Sequence, residues 1–285
     1  MQVTFFTCMY SCDKFIDSYI EMFNNLNDFN KHKLIITNIL DSNNEETLYK
    51  INNFKNKFNN IKVIELLKKD DPGLYQCWNN MLEVIETDLV CNINPDDILH
   101  TNFLELLNVF NDNIDLVCCP LKIINLNGDN LGIWHNNKKY FQTIKKNDTY
   151  NDKLDNYNYF IKNNDCKFNF KLIKTNNFDI FDMFFFSSKY KSHIGKSIGY
   201  RPLNLPGCAP IWKKKLYNEY GGFDEINFYE SADYELWCRY LSKGSKMFCY
   251  DKSLVTFRYS KESMSNNKKN KDICKKIFNL YHPLK

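Results

Sequence analysis

Apolar positions in the first half of the chain fall into two alternating patterns. Val3–Met9 is a short β-rich run, after which Phe15, Ile16, Tyr19, Ile20, Phe23 and Leu26 recur at the spacing of one helical face. Lys33–Leu40 is apolar and β-branched. Asp41-Ser42-Asn43-Asn44 follows as a turn with an N-cap signal, and Leu48, Ile51, Phe54 and Phe58 line the next helix. Ile61–Leu67 predicts a third strand, Gly73–Glu86 a third helix, Leu89–Ile93 a fourth strand, Phe103–Phe110 a helix and Asp115–Cys119 a fifth strand. This β-α order predicts an α/β fold with a Rossmann-like, mainly parallel central sheet, because continuous apolar runs suit strands covered on both faces. Ligands of such sheets bind beyond the carboxyl ends of the strands. There the chain has Thr7–Tyr10, Asp41, Asp70-Asp71 and Asn94-Pro95-Asp96-Asp97, so four successive strands deliver polar, mostly acidic groups to one edge.

The second half is less regular. Residues 121–205 are rich in Asn, Lys, Phe and Tyr and read as insertions and short strands around a core. Ile211–Tyr220 predicts a helix stopped by Gly221-Gly222, and Ala232–Leu241 predicts another. Lys246–Tyr250 and Ser253–Tyr259 predict two short strands. From Ser260 onward, with KKNKDICKK, the chain reads as a solvated tail or surface helix.

Composition narrows the partners. A length of 285 residues allows one large domain or two small ones, and 16% aromatic residues exclude disorder for most of it. The net charge of +4 is too balanced to imply a nucleic-acid or membrane partner, and the absence of a basic stripe interleaved with aromatics argues against nucleic acid. The 11 cysteines show no CxxC, and several lie in apolar runs, as do Cys91 and Cys118-Cys119, so they read as small buried hydrophobes in reduced form. Cys8 and Cys12 lack the second Cys/His pair of a zinc site. The start, MQVTFFTCMYSCDKF, has no basic n-region or long apolar core, and no run approaches about 20 apolar residues. The expectation is a cytoplasmic protein, or one at the cytosolic face of a membrane, without signal peptide or transmembrane segment.

The turn at residues 94–97 carries the sharpest chemistry. Carboxylates after a buried strand suit Mg²⁺ or Mn²⁺ bridging a diphosphate, although Asn-Pro-Asp-Asp also makes a good turn and helix cap. Around it, from Val3 to about Ser265, the chain resembles family 2-type glycosyltransferases of the GT-A fold in three places. VTFFTCMYSCDKFIDSYIEMF is similar to the family's opening strand and helix. DDPGLYQCWNNMLEVIETDLVCNINPDD resembles its Asp-x-Gly-hydrophobic-Tyr-Asp-Ala-x-Asn pattern, helix, and strand ending in Asn-x-Asp-Asp. GGFDEINFYESADYELWCRYLSKG resembles Gly-Gly-Phe-Asp-Glu, a spacer, and Glu-Asp-Tyr-Asp-Leu-Trp-x-Arg.

The resemblance implies a single GT-A domain. Residues 1–120 would form the nucleotide-sugar-binding half, 121–260 the acceptor-binding and catalytic half, and 261–285 a tail. It implies an inverting, metal-dependent hexosyltransferase that uses a nucleotide sugar, a UDP-sugar first, and a hydroxyl acceptor on a glycan, protein or lipid. On this reading Asp96 holds Mn²⁺ or Mg²⁺ against the diphosphate, with Asn94 where the family has the first acid of its DXD motif. Asp97 supports the loop. Asp41 contacts the uracil and ribose side, Asp71 the base, and Thr7 and Tyr10 lie in the loop that wraps the nucleoside. Asp233 is the general base. For both Asp41 and Asp233 the structural alternative is a helix N-cap.

This sequence departs from the family pattern at Ala232, where an acid is usual, at Gln76, and at Ser260, which takes the place of a His. Arg258 offers positive charge instead of that His. His193, Lys196 and Arg201 are candidates for acceptor or phosphate, and Trp78, Trp212 and Trp237 read as core more than as sugar-stacking surfaces. The competing reading is a glycosyltransferase-like fold that binds a sugar or nucleotide without turnover.

Overall fold

The computed structural model describes residues 1–41, 45–134, 206–250, 252–260 and 268–281. The candidates His193, Lys196 and Arg201, like most of the segment assigned to the acceptor, lie outside them. β1 (Val3–Met9), α1 (Asp13–Asn25), β2 (Lys33–Leu40), α2 (Glu45–Lys57), β3 (Ile61–Leu67), α3 (Leu74–Val84) and β4 (Leu89–Asn92) follow the predicted alternation. After β5 (Ile98–Leu99) a 3-10 helix covers Phe103–Val109, and β6 (Leu116–Cys118), β7 (Leu121–Ile124) and β8 (Asn130–Trp134) follow.

The central sheet has seven strands in the order β10-β6-β9-β4-β1-β2-β3, where β9 is Ile211–Lys213 and β10 is Met247–Cys249. β9 alone runs antiparallel, between β4 and β6, so the sheet is mainly parallel. A second sheet, β5-β11-β7-β8, adds β11 (Val255–Arg258).

Side chains alternate across the sheet and build two cores. Phe5, Leu34 and Ile36 face Phe23, Phe29, Phe54 and Phe103 on one side. Phe6, Ile35, Val90 and Trp212 face Trp78, Met81, Trp237 and Tyr240 on the other. Burial on both faces is why these strands read as uninterrupted apolar runs. It also settles the tryptophans: Trp78, Trp212 and Trp237 are all core, and Trp212 donates its indole N–H to Asn92 Oδ1 at 3.1 Å.

Two expectations change. Ile211–Tyr220 is not one helix: β9 forms first, and α4 occupies only Lys215–Tyr220. Pro210 precedes the segment, and pairing to two neighbouring strands with a fully buried Trp212 outweighs the helical spacing. The stretch after Ser260 contains α7 (Lys268–Tyr281), which packs Ile277 into the second core. Before it come α5 (Glu225–Phe228) and α6 (Ala232–Ser242). α7 docks on α6 through the Tyr281 hydroxyl, which donates to the buried Glu235 carboxylate, and on the residue before α6 through Ser231 Oγ against Cys274 Sγ at 3.2 Å.

Candidate active site

The first three strands end in a small paired cluster. Parallel register places Leu40 opposite Leu67, so the next residues, Asp41 and Lys68, emerge side by side. Lys68 Nζ lies 2.9 Å from Asp41 Oδ2 and 5.0 Å from the centroid of the Tyr10 ring. Hydrogen bonds to the Tyr10 hydroxyl and then to Asp41 raise the pKa of the exposed ammonium. Tyr10 is 44% exposed and presents a ring face beside this pair. Asp41 is not the N-cap of α2, which begins at Glu45. Thr7 departs from its expected place in the loop. It lies inside β1, fully buried, and faces the Tyr19 hydroxyl, so it forms part of the wall beneath the edge.

The acids at the end of β4 differ in burial. The turn closes through Asp97 N–H donating to the Asn94 carbonyl (3.2 Å) and Asn94 Nδ2 donating to Asp97 Oδ2 (3.3 Å). Asp97 is 2% exposed, and its Oδ1 is buried without a hydrogen bond. Burial, and then the neighbouring Asp96, push its carboxyl well above the usual carboxylate range, against the pull of Cys208 and Asn94. Asp96 is half-buried. Burial raises its pKa, while Arg258 and Lys14 oppose the shift. Both cations pack on one ring: Arg258 Cζ is 5.5 Å and Lys14 Nζ 5.2 Å from the centroid of Phe15. Arg258 Nε is buried and has no acceptor.

Asp71 sits at the start of α3, where its Oδ1 accepts from Gly73 N–H at 2.9 Å. Gly73 has φ 95°, and a β-carbon there would approach Glu225 Oε1 to 2.6 Å, so this turn requires glycine. Glu225 Oε2 accepts from Gln76 N–H at 3.2 Å, which satisfies one free amide of the helix start. Asn79 clamps Phe223 through both of its polar atoms, at 2.8 Å each, and Phe223 stacks on Tyr75. The GGFDE segment thus binds to the front of α3.

Asp233 is the second residue of α6, two past the cap position, and its Oδ1 accepts from the adjacent Tyr234 N–H at 2.7 Å. The structure therefore does not use it as an N-cap. Asp233 is half-buried, and burial raises its carboxyl, with the Tyr234 amide and then Tyr75 acting in the opposite direction. The Cys208 thiol, ahead of β9, is pushed up by burial and by the negative charges of Asp97, Asp96 and Asp233. One side chain thus senses all three acids. Asp71 and Cys12 bear on Cys8, and Asp96 bears on Cys12. Asp71 follows β3, Asp96 and Asp97 follow β4, Asp233 lies in the first turn of α6, and Asp41 follows β2 beside Tyr10 and Lys68.

Among the described residues no three His, Cys, Asp or Glu side chains are grouped to hold a metal ion by themselves. A hard cation there would take Asp96 as its protein ligand and draw its remaining ligands from phosphate oxygens and water. Mg²⁺ and Mn²⁺ accept such a set, and a half-buried carboxylate to which no cation among the described residues is paired suits it. Lys14, Lys68, Cys208 and Tyr75 were not singled out as site residues from the sequence. For Lys68 a signal existed in the strand ends themselves, because β2 and β3 are adjacent and both end in charge.

No family model matches the chain, and no curated protein matches it by sequence. Solved structures do match by fold. S. aureus TarS residues 1–349 in complex with UDP superposes with TM-score 0.58 at 13% identity, covering 99% of this chain and 65% of that one. The same protein with UDP-GlcNAc gives 0.59 at 14%, covering 100% and 68%. The mannosyltransferase PcManGT of Pyrobaculum calidifontis, with GDP-Man and Mn²⁺, gives 0.53 at 10%, covering 92% and 58%. The chain thus spans about two thirds of these proteins or less. It shares with them the GT-A fold: a mainly parallel sheet flanked by helices.

Proposed function

We propose that this protein is an inverting, metal-dependent glycosyltransferase that moves a hexose from a nucleotide sugar, a UDP-sugar first, to a hydroxyl acceptor on a glycan, protein or lipid. The reading is supported by the GT-A fold with Asp96 and Asp97 following β4, and by Cys208, whose thiol is raised by burial and then by the charges of Asp97, Asp96 and Asp233. The donor diphosphate lies over Asp96, where Arg258 and Lys14 add positive charge. Mn²⁺ or Mg²⁺ held by Asp96, when bound, neutralises the charge of the departing diphosphate. Tyr10 offers its ring to the base, Asp41 accepts hydrogen bonds from the uracil or ribose, and Asp71 keeps the α3 turn shaped for the nucleoside. Asp97 holds the loop that carries Asp96, and Asn94 ties that loop to Asp97.

Asp233 takes the acceptor proton. Its oxygen is kept in a packed, poorly hydrated environment, which raises its affinity for a proton and matches it better to an alcohol losing one. Attack from the face opposite the nucleotide then inverts the anomeric centre. The similar proteins crystallised with UDP, UDP-GlcNAc and GDP-Man with Mn²⁺ support donors of this class. Among the described residues no helix is long and apolar enough to cross a membrane, which accords with placing the reaction in the cytoplasm or at the cytosolic face of a membrane.

The test is UDP release from a panel of UDP-sugars with Mn²⁺, for the wild type, Asp96→Ala and Asp233→Asn. Turnover by the wild type that survives both substitutions overturns these roles. A second reading, nucleotide binding without transfer, is favoured by Ala232, which is fully buried where the family carries an acid. UDP binding by calorimetry with no release across the panel selects it.

A further inference from the structure

Two glycines and two reaching side chains interlock α3 with the GGFDE segment. Glu225 crosses to the front of α3, where its Oε2 accepts from Gln76 N–H at 3.2 Å. Its carboxylate lies over Gly73, where a β-carbon would meet Oε1 at 2.6 Å and Oε2 at 3.1 Å. Asn79 crosses the other way. Its Oδ1 accepts from Phe223 N–H and its Nδ2 donates to the Phe223 carbonyl, each at 2.8 Å, and a β-carbon on Gly222 would collide with that Oδ1. Each partner thus supplies one reaching side chain and the glycine that makes room for the other's. The Tyr75 ring stacks on Phe223 at 5.4 Å, and its hydroxyl donates to the Glu230 carbonyl at 3.2 Å as a further tie.

We propose that Glu225 is a positioning residue for the donor: its carboxylate fixes the turn at residues 71–73 in the shape that receives the nucleoside, and the interlock sets that turn relative to the helix bearing Asp233. This rests on the reading of Asp71 as a donor-side residue. α3 starts at Leu74, and the first amides of a helix have no partner within it. Gly73 holds the cap position and has no side-chain oxygen to offer them, so the acceptor comes from Glu225, 149 residues away from Gln76. A carboxylate suits that place because the amino end of a helix attracts negative charge. On the other side of the turn Asp71 Oδ1 takes the Gly73 N–H at 2.9 Å, so one local acid and one distant acid hold it. Gly73 itself has φ 95° and ψ 162°, a conformation that side chains rarely adopt and that neighbouring contacts must maintain.

The path from this lock to Asp233 is short and anchored. Glu225 opens α5, a single 3-10 turn (Tyr229–Ser231) follows, and α6 begins at Ala232. Phe228, Ser231 and Ala232 are buried along the way. A change at Glu225 therefore reaches the donor turn directly and α6 through a stiff connection, so donor affinity falls more than turnover does.

The experiment compares Glu225→Ala and Glu225→Gln in the full chain, with Asp71→Ala alongside. Glu225→Gln keeps an oxygen for the Gln76 amide, and Glu225→Ala removes it. Expected for Glu225→Ala are affinity for UDP with Mn²⁺ and donor KM each weakened roughly three- to tenfold, kcat lowered by a smaller factor, and faster hydrogen exchange at the Gln76 amide. Glu225→Gln restores most of all three. Gly73→Ala gives a second arm: it weakens UDP binding less in the Glu225→Ala background than alone, because the carboxylate its β-carbon would meet is gone. In the wild type, UDP slows exchange at the Gln76 amide, a measurement that needs neither a variant nor turnover. An amide indifferent to UDP overturns the proposal, as does wild-type UDP affinity in Glu225→Ala or a Glu225→Gln variant as weak as Glu225→Ala. So does a loss confined to the unfolding midpoint, which would make the interlock purely structural. Asp71→Ala separates the two levels: if it binds UDP like the wild type, the donor-side reading of Asp71 itself fails.

Discussion

The two ends of the ligand edge handle charge in opposite ways. At the Tyr10–Asp41–Lys68 corner, acid and base meet in partial exposure to water and are matched one to one. At Asp96, Asp97 and Asp233 burial raises all three carboxyls, hydrogen bonds oppose it at each, and cations, Arg258 and Lys14, oppose it only at Asp96. A matched, solvated pair holds its shape without a ligand and is suited to read a neutral base and sugar. Crowded, buried acids favour a cation or a proton, and that is the demand of a leaving diphosphate and of an alcohol about to lose its proton.

Substitutions can break this contrast, and the centre responds most. Asp96→Ala and Asp233→Asn are each expected to lower UDP-sugar turnover by about 10²–10⁴-fold, read as UDP release. Asp97→Asn tests the crowding through stability. Asp97 binds its proton more tightly folded than unfolded, so ionising it costs stability as pH rises from the ordinary carboxylate range through the higher folded value. In chelator-treated buffer the Asn variant is therefore expected to be more stable at neutral pH by about 1–3 kcal/mol, with the gain vanishing in acid, measured by urea unfolding. The corner is expected to respond least. Asp41→Ala should weaken UDP binding by roughly two- to tenfold and change stability by less than ~0.5 kcal/mol, because exposed ion pairs contribute little. High salt should shrink even that effect, whereas the activity loss from Asp233→Asn should be indifferent to salt.

Much of the edge was legible because it is local in sequence. Val3–Met9, Lys33–Leu40 and Ile61–Leu67 are strands with the very limits that their apolar runs predict. Asp71 and Asp96 follow strands β3 and β4 within a few residues, and Asp233 opens a helix with clear spacing. What stayed hidden depends on tertiary register. Lys68 meets Asp41 only because β2 and β3 pair with Leu40 opposite Leu67. β9 is three residues long and takes its conformation from two neighbours rather than from its own pattern. Cys208 and Tyr75 are apolar by sequence and reach the acids only through packing across the chain. The same holds for α7, whose lysine-rich face disguises the stripe of Ile273, Cys274 and Ile277 that seats it.

The Gly221-Gly222 turn gives this architecture a temporal order. Arg239, paired with the buried Glu235 at 2.9 Å, also donates to the carbonyls of Tyr220, Gly221 and Gly222, and Tyr281 closes the same knot from α7. A ribosome delivers residue 281 long after β1 to β4 have emerged, so the wall for the nucleotide can assemble while the helix bearing Asp233 still awaits its fastening. On the proposed mechanism, a nascent chain gains the means to recognise a donor before it gains the means to spend one, and the reactive half is the last to mature.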